Sequence, residues 1–195
     1  LKVDTIQDTS GNNIINESSN TITIGKSGDA VNLASGATNN LGITMADQWR
    51  LTADTNSGTN ADVTSNWERN DSSGYSSIGT GLTESSGIFS FSSTGIYLIL
   101  FTGNFSVIGE DTFVQFLLKT TLDNSNYTLV SEVSSGNDAV GAAIQNASAQ
   151  FIFDVTNTSN DKFKFTTGNF STGTLLRGDT SVNETHFTVI RLGDT

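Results

Sequence analysis

The chain contains no cysteine and no proline. Without cysteine there are no disulfides, thiolate metal sites or cysteine nucleophiles, so packing and oligomerisation have to stabilise the fold. Without proline the turns depend on the 19 glycines and on asparagine and aspartate, which tolerate positive φ. No long run shows apolar residues at the three-and-four spacing of an amphipathic helix. The composition therefore predicts strands and turns, not helices.

Positive charge and long apolar runs are also scarce. Nine Lys and Arg stand against 20 Asp and Glu, which gives a net charge of −11. This charge repels phosphate backbones, and no run of basic residues opposes it, so nucleic-acid binding is not expected. The longest apolar run, Ile96–Phe101, is strand-sized, whereas a bilayer span needs about 20 residues. Membrane insertion is not expected either.

Residues 1–45 contain no Phe, Tyr or Trp. Their apolar residues occur as short pairs between Gly, Ser and Asn turn signals: Val3/Ile6, Ile14/Ile15, Ile22/Ile24, Val31/Leu33 and Leu41/Ile43. This spacing predicts short strands. One copy cannot bury such strands, but three intertwined copies can, so we predict a β-rich extended stem. The alternative is a flexible, partly disordered arm.

From residue 46 onwards the chain holds both Trp and all 12 Phe. Several segments alternate apolar and polar residues with period two: Ile88–Phe91, Asn104–Val107, Phe113–Phe116, Gln150–Val155, Lys162–Phe165 and His186–Ile190. Such alternation is typical of strands in a half-buried sheet. Because short polar turns separate these segments, the sequence predicts an all-β fold, an antiparallel jelly-roll sandwich over residues 46–195.

Two segments carry a resemblance to a known family. Residues Gly87 to Phe101, which read Gly-Ile-Phe-Ser-Phe-Ser-Ser-Thr-Gly-Ile-Tyr-Leu-Ile-Leu-Phe, resemble the central signature of the complement-head and tumour-necrosis-factor-like jelly roll. Phe187–Gly193 resembles the last strand of that family, in the sheet that faces the threefold axis. The resemblance implies a homotrimer. No collagen repeat precedes the domain, because the chain has no Pro and no Gly-X-Y run.

The N-terminal stretch Lys2–Glu17, followed by Thr21–Gly25, is similar to segments of structural and fibre proteins of tailed bacteriophages, marine ones in particular. Together the resemblances imply a trimeric fibre on the virion surface. Residues 1–45 would dock on other virion proteins, and the jelly-roll head would attach to a host surface glycan or protein. The alternatives are a capsid decoration protein without receptor binding and a secreted bacterial adhesin.

No pattern predicts catalysis or a cofactor. His186 is the single His and lies in an alternating segment, where a strand residue is expected rather than a general base. Glu110 and Asp111 read as a solvated turn rather than a glycosidase pair. Gly25-Lys26-Ser27 lacks the earlier glycine of a phosphate-binding loop. The oxygen-rich stretch Asp54–Asp62 does not have a glycine and a final glutamate at the positions that a calcium loop requires. We expect a binding protein, not an enzyme, with no metal site.

Ligand contacts are expected on polar loops at the distal end of the head, away from the stem. The candidate loops are Asp123–Asn126, Ser134–Asp138 and Asn157–Asp161. Their candidate side chains are Asp123, Asn124, Asn126, Asn137, Asp138, Asn157, Asn160 and Asp161. Trp49, Trp67, Tyr75 and Tyr127 are further candidates, for stacking on sugars, although core or rim positions are the simpler interpretation of these aromatics.

Overall fold

The computed structural model describes residues 5–7, 9–10, 13–18, 21–24, 28, 42–108, 111–138 and 141–195. The regular elements in these residues are all β-strands. None of the described residues belongs to a helix long and apolar enough to cross a bilayer. Contacts divide the chain into an N-terminal unit, Leu1–Gly42, and a head unit, Ile43–Thr195, close to the boundary predicted after residue 45.

The N-terminal unit contains a three-stranded antiparallel sheet. Its strands are β1 (Thr5–Gln7), β2 (Asn13–Ser18) and β3 (Thr21–Ile24), in the order β1-β2-β3. The predicted pairs Ile14/Ile15 and Ile22/Ile24 lie in β2 and β3. Val3, Val31, Leu33 and Leu41 lie outside the described residues. The described strands are as short and closely spaced as the turn signals predict.

The head unit is a sandwich of two antiparallel sheets. Its strands are β4 (Ala46–Leu51), β5 (Ala53–Thr55), β6 (Trp67–Arg69), β7 (Thr83–Ser85), β8 (Ile88–Ser90), β9 (Gly95–Val107), β10 (Asp111–Thr121), β11 (Thr128–Asn137), β12 (Ala143–Val155), β13 (Lys162–Gly168), β14 (Leu175–Asp179) and β15 (His186–Gly193). The larger sheet has the order β5-β14-β9-β15-β4-β6. β14 and β15 pair with the two ends of the same edge of β9, and β12 pairs with the whole of its other edge. The smaller sheet has the order β11-β10-β13-β8-β7.

The period-two segments of the sequence lie in strands, except that Phe91 follows the end of β8, and most of their apolar residues meet in one aromatic core; Phe113 is 49% exposed on the outer side. Phe89 lies at its centre, with ring centroids 5.4 Å from Trp49, 5.5 Å from Trp67, 5.1 Å from Phe163 and 4.7 Å from Phe187. Most of these ring pairs meet edge to face, which aromatic quadrupoles favour. The aromatic residues of the core therefore all lie after Gln48, as the aromatic distribution predicts, and Met45 is buried with them.

The turns around β8 depend on glycine. Gly87 has φ +79°, and a Cβ there would lie 2.2 Å from the Val63 carbonyl oxygen. Gly95 has φ +147°, and a Cβ there would lie 2.5 Å from Arg191 Nε. Both distances are too short for any side chain, so these glycines allow the tight connection from β8 into β9. Gly95 is the first residue of the Gly95-Ile96-Tyr97 element of the sequence signature.

Strand pairing defines two ends of the head unit. The chain enters and leaves at the same end, which we call the near end, and the opposite end is the far end. The pairs that define the near end are Ala46↔Ile190, Ile96↔Gly193, Gly95↔Val155 and Thr121↔Lys162. The chain thus enters next to the C-terminal strand β15.

Candidate interaction surfaces

One face of the larger sheet is open and apolar near the chain entrance. Ile152, Leu98, Ile190 and Ala46 are register partners on β12, β9, β15 and β4. Their neighbours along the strands point into the core, so these four side chains point outwards. Ile152 is 59% exposed, and Leu100 in the next row is 37% exposed. We call these five residues the open face.

Further along, the same side of the sheet is polar and partly covered by the chain itself. Arg50 on β4 is 1% exposed, because residues 68–72 fold over it. Its guanidinium donates to Glu68 at 2.8 Å and to Asp71 at 2.6 Å. Beside it Thr102 and Ser148 share a hydrogen bond of 2.8 Å. The open face therefore ends at this polar and covered part of the sheet, beyond which Ile144 on β12 is again exposed, at 56%.

A groove of about 620 Å³ runs beside the open face at the near end. It lies between β11 and β12, which are the edge strands of the two sheets. Its apolar lining comes from Leu122, Val130, Phe151, Ile152 and Phe153. Within the described chain each of these edges pairs on one side only, which leaves main-chain groups available to another chain. The edge of the sandwich is therefore apolar and unprotected.

The sheet of the N-terminal unit carries an apolar row of its own. Ile6 pairs with Ile15, and Ile15 pairs with Ile24, so the three side chains lie side by side across β1, β2 and β3. They are 48%, 38% and 56% exposed. We call this the isoleucine row. Among the described residues, the row forms an exposed apolar strip across the small sheet.

Two of the predicted ligand loops lie together, but at the near end. The Asn124 amide donates to the Asn160 carbonyl at 3.1 Å, and Lys162 Nζ donates to Asn124 Oδ1 at 2.7 Å. Both loops adjoin the ends of strands that mark the near end, Thr121 and Val155. They lie at this end because β10 and β12 both run towards the chain entrance; ligand binding by these loops stays a prediction.

The acidic side chains of these loops hold the loops themselves. Asp123 accepts hydrogen bonds from the Asn126 side chain and main-chain amide, both at 2.7 Å, and from the Ser125 amide at 2.9 Å. The bonds from Asn126 in particular hold the Asp123 pKa far below its usual range. Asp161 is 1% exposed and accepts from the main-chain amide of Asn157 at 2.8 Å. These carboxylates hold the turns in which they lie, as Asp and Asn commonly do.

The third predicted loop is mostly strand. β11 continues to Asn137, and its residues Ser134, Ser135 and Asn137 pair with β10. The prediction of a loop over Ser134–Asp138 is therefore wrong for residues 134–137. The Ser and Gly residues there suggest a turn, but the pairing with β10 overrides them. Asn137 is 8% exposed, and its side chain donates to the Gly141 carbonyl at 2.6 Å. Asp138 follows at the far end and is exposed.

The aromatic candidates divide between core and surface. Trp49 and Trp67 are 8% and 9% exposed and belong to the core. Tyr75 donates to the buried carboxylate of Asp47 at 3.0 Å. Tyr127 lies on the outer side of the smaller sheet, where its ring centroid is 4.3 Å from the Lys164 ammonium. Tyr127 is thus the one candidate of the four placed beside a charged surface group outside the core.

The residues considered for chemistry have structural partners. His186 lies in β15, and its Nδ1 is 2.9 Å from the Glu184 carbonyl oxygen. Asp111 accepts from Thr174 at 2.8 Å and from Ser171 at 2.9 Å, while Glu110 and Lys26 lie outside the described residues.

In the stretch considered for calcium, the two aspartates bind different partners. Asp54 accepts from the Gly178 amide at 3.1 Å, and Asp62 pairs with Lys164 at 2.6 Å. Their carboxylates therefore do not converge on one point, and the described residues include no group of three His, Asp or Glu side chains that could hold a metal ion.

Sequence reasoning missed the open face. Its residues lie in strands that the alternation predicts, but alternation alone does not show that Leu98 and Ile152 are apolar on the outward side. The signal was available in the runs Ile96–Phe101 and Phe151–Phe153, which are apolar at consecutive positions. In a strand such a run is buried on both faces, so the outward side needs a cover.

Comparison with solved structures places the head in a known fold. Murine APRIL at pH 5.0 matches with a TM-score of 0.56 and 12% identity, over 76% of this chain and 98% of that chain. The Eiger TNF from S. frugiperda matches with a TM-score of 0.54 and 12% identity, over 78% and 95%. No protein-family model and no curated protein sequence matches the chain. The likeness shows the fold alone, and the predicted TNF-like jelly roll is confirmed.

Proposed function

We propose that the chain is a non-enzymatic structural protein of a bacteriophage virion, that it assembles as a homotrimer, and that its head attaches the particle to the host. The observation that carries the proposal is the open face with its neighbouring groove. Apolar residues on the outer side of a sheet and along an unpaired edge are stable only when another surface covers them. A second and a third copy of the chain provide that cover.

Threefold assembly is supported by the location of the open face. It includes Leu98 of β9 and Ile190 of β15, and these are the strands of the sequence signature and of the C-terminal segment. In the family that those segments resemble, this sheet faces the threefold axis. A closed ring of three copies buries the same patch on each subunit and leaves none exposed.

The stem and docking role rests on the N-terminal unit. The isoleucine row exposes Ile6, Ile15 and Ile24 on one small sheet, and a lone sheet of three short strands is marginal in water. Packing against two further copies, or against another virion protein, buries the row. The similarity of Lys2–Glu17 to phage fibre segments points to the virion as the place of assembly.

Incorporation into particles tests this proposal. In a phage that depends on a plasmid copy of the chain, Ile15→Asp places a charge in the isoleucine row, and Val182→Asp places one on a head side chain that is 59% exposed. We expect Ile15→Asp virions to lack the protein and to adsorb poorly, and Val182→Asp virions to resemble wild type. Absence of the wild-type chain from virions would refute the proposal. Normal adsorption by particles that lack the chain would refute attachment and favour a decoration role.

A further inference from the structure

All three lysines of the head unit lie on the outer face of the smaller sheet. They are Lys119 on β10 and Lys162 and Lys164 on β13. Lys119 is the direct register partner of Lys164, and their neighbours Leu118 and Phe163 point into the core. Lys119 lies more than forty positions before Lys162 and Lys164 in the sequence, so only the fold brings it next to them. In a chain with a net charge of −11 this is a local concentration of positive side chains.

Two of the three ammonium groups have no ion-pair partner in the described residues. Asp62 pairs with Lys164 at 2.6 Å. The charge of Lys119 also acts on Asp62, but Lys119 makes no hydrogen bond or ion pair within the described chain. Lys162 donates to the neutral Asn124 side chain at 2.7 Å. Like charges directly opposite each other on a sheet are destabilising, so an anion bound between them relieves a repulsion already present.

Other acidic side chains are engaged elsewhere. Glu132 on β11 is the register partner of Leu117 on β10. Its carboxylate accepts a hydrogen bond from Gln115 Nε2 at 2.9 Å. Asp123 is held by the amides of its own turn. Neither carboxylate forms an ion pair with Lys119 or Lys162 in the described residues, so these two ammonium groups can each accept an ion-pair partner from another molecule.

Tyr127 borders the lysines and supplies a second, independent observation. Its ring lies over the Lys164 ammonium, and its hydroxyl oxygen is buried without a hydrogen-bond partner in the described residues. Buried polar atoms are nearly always satisfied by protein, water or ligand. The lysines therefore lie beside both an aromatic surface and an unused polar atom, the combination that sugar-binding surfaces use.

We infer that Lys119, Lys162 and Lys164, together with Tyr127, form a binding site for the carboxylate or sulfate groups of an acidic oligosaccharide. The site deepens the attachment role proposed above and rests on that role for its biological setting. A peptide is the poorer fit, because β10 and β13 are both paired on each side and offer no main-chain groups for an added strand. Recognition must come from side chains alone, as it does for a sugar.

The binding test uses short ligands, because a long polyanion would also sense the net negative charge of the whole chain. Tetrasaccharides of polyguluronate, of heparin and of dextran represent a carboxylated, a sulfated and a neutral sugar, and pentaglutamate represents an acidic peptide. Calorimetry at about 0.15 M salt limits the interaction range to about 8 Å. We expect at least one acidic sugar to bind and dextran not to bind. Which of the two binds identifies the anionic group.

Lys119→Gln is the decisive variant, since Lys119 makes no hydrogen bond or ion pair within the described chain. We expect binding to weaken about tenfold, the usual effect of one charged hydrogen bond, with little change in melting temperature, because the repulsion from Lys164 and the attraction to Asp62 are lost together. Lys119→Arg should retain binding, and Lys26→Gln, which removes the same charge from the N-terminal unit, should have no effect. A trimer by light scattering that binds no acidic sugar overturns this inference alone and leaves the assembly proposal standing. Equal binding by Lys119→Gln, or tighter binding of pentaglutamate, also overturns it.

Discussion

At the scale of single residues, the head is held at its near end by a buried carboxylate. Asp47 is 1% exposed and accepts from Trp49 Nε1 at 2.9 Å, Arg69 Nε at 2.9 Å, the Tyr75 hydroxyl at 3.0 Å and the Leu82 amide at 2.8 Å. A buried charge with this many donors is fully satisfied. It ties the first strand of the larger sheet to the connection that precedes β7.

Replacing Asp47 by Ala should therefore be costly. The change leaves these four donors and the Gln48 amide without their acceptor; since each buried donor left unsatisfied costs about 1–3 kcal/mol, we expect a total cost of about 3–5 kcal/mol. For a domain of this size that lowers the melting temperature by roughly 6–15 °C. Asp194→Ala is the matched control, because Asp194 also pairs with an arginine but its side chain is 93% exposed, and we expect it to change stability by less than about 0.5 kcal/mol. Equal melting temperatures for the two variants would contradict this role of Asp47.

Asp62 gives the fold an acid-sensitive contact. Burial raises its pKa, but the hydrogen bonds from Lys164 and Thr166 and the charges of Lys164 and Lys119 outweigh burial, so the pKa lies below the usual 3.8. A lowered folded-state pKa stabilises the fold above pH 3.8, and this stabilisation is lost as the pH falls through the folded value. We expect wild type to melt higher than Asp62→Asn at pH 7 and the difference to shrink below about pH 4. A difference that stays constant down to about pH 2.5 would contradict the assignment.

At the scale of elements, β12 has the most exposed surface of the long strands. None of its residues from Ala143 to Ile152 is fully buried. The strand pairs with β9 along its whole length, yet its other edge has no strand partner in the described residues and borders the groove and β11. A strand of 13 residues with one free edge and apolar residues on both sides invites another chain.

Charge on this strand should dissociate the assembly without unfolding the head. Ile152→Glu places a carboxylate in the open face, and burying it in an interface without a partner is strongly unfavourable. Phe113→Glu is the control, since Phe113 is 49% exposed but lies on β10 of the smaller sheet. We expect Ile152→Glu to sediment as a monomer with an unchanged circular dichroism spectrum, and Phe113→Glu to sediment as wild type. Trimers of both variants would rule out the open face as the interface.

The elements were largely predictable from the sequence, and the loops were not. Phe89, Phe163 and Phe187 alternate with polar residues, so period-two reasoning locates their strands and the core. The loop Asp123–Asn126 was correctly predicted as a turn from its Asn and Asp residues. The end of the head at which it lies depends on the direction of β10, which no local sequence pattern encodes. Asn137 was misassigned because pairing with β10 overrides the turn preference of the Ser and Gly residues before it. The open face escaped detection because it arises from the register of four strands.

At the scale of the whole molecule, the two units differ in how they bury apolar surface. The head has an aromatic core of its own, whereas the described strands of the N-terminal unit expose Ile6, Ile15 and Ile24. Contacts place the division after Gly42. Met45 belongs to the head, because it is 3% exposed and its carbonyl accepts from the Arg191 amide at 2.9 Å.

A chain that begins at Ile43 should accordingly fold and assemble. Its core is complete, and the open face and the groove are intact, so we expect a β-type circular dichroism spectrum and the same subunit number as the full chain. A chain that begins at Ala46 should melt lower, because it loses Met45 and its bond to Arg191. If the chain that begins at Ile43 unfolded, the head would need the N-terminal strands for its stability, and the division into two units would be wrong.

The molar mass of the full chain in solution tests the central claim most directly, because the open face, the groove and the isoleucine row all require further copies. One chain has a mass of 20.6 kDa. Light scattering across a dilution series to about micromolar concentration should give three times that mass, about 62 kDa, without dissociation. A constant mass of one chain over the same range would contradict the account, since these apolar surfaces would then be stable in water uncovered.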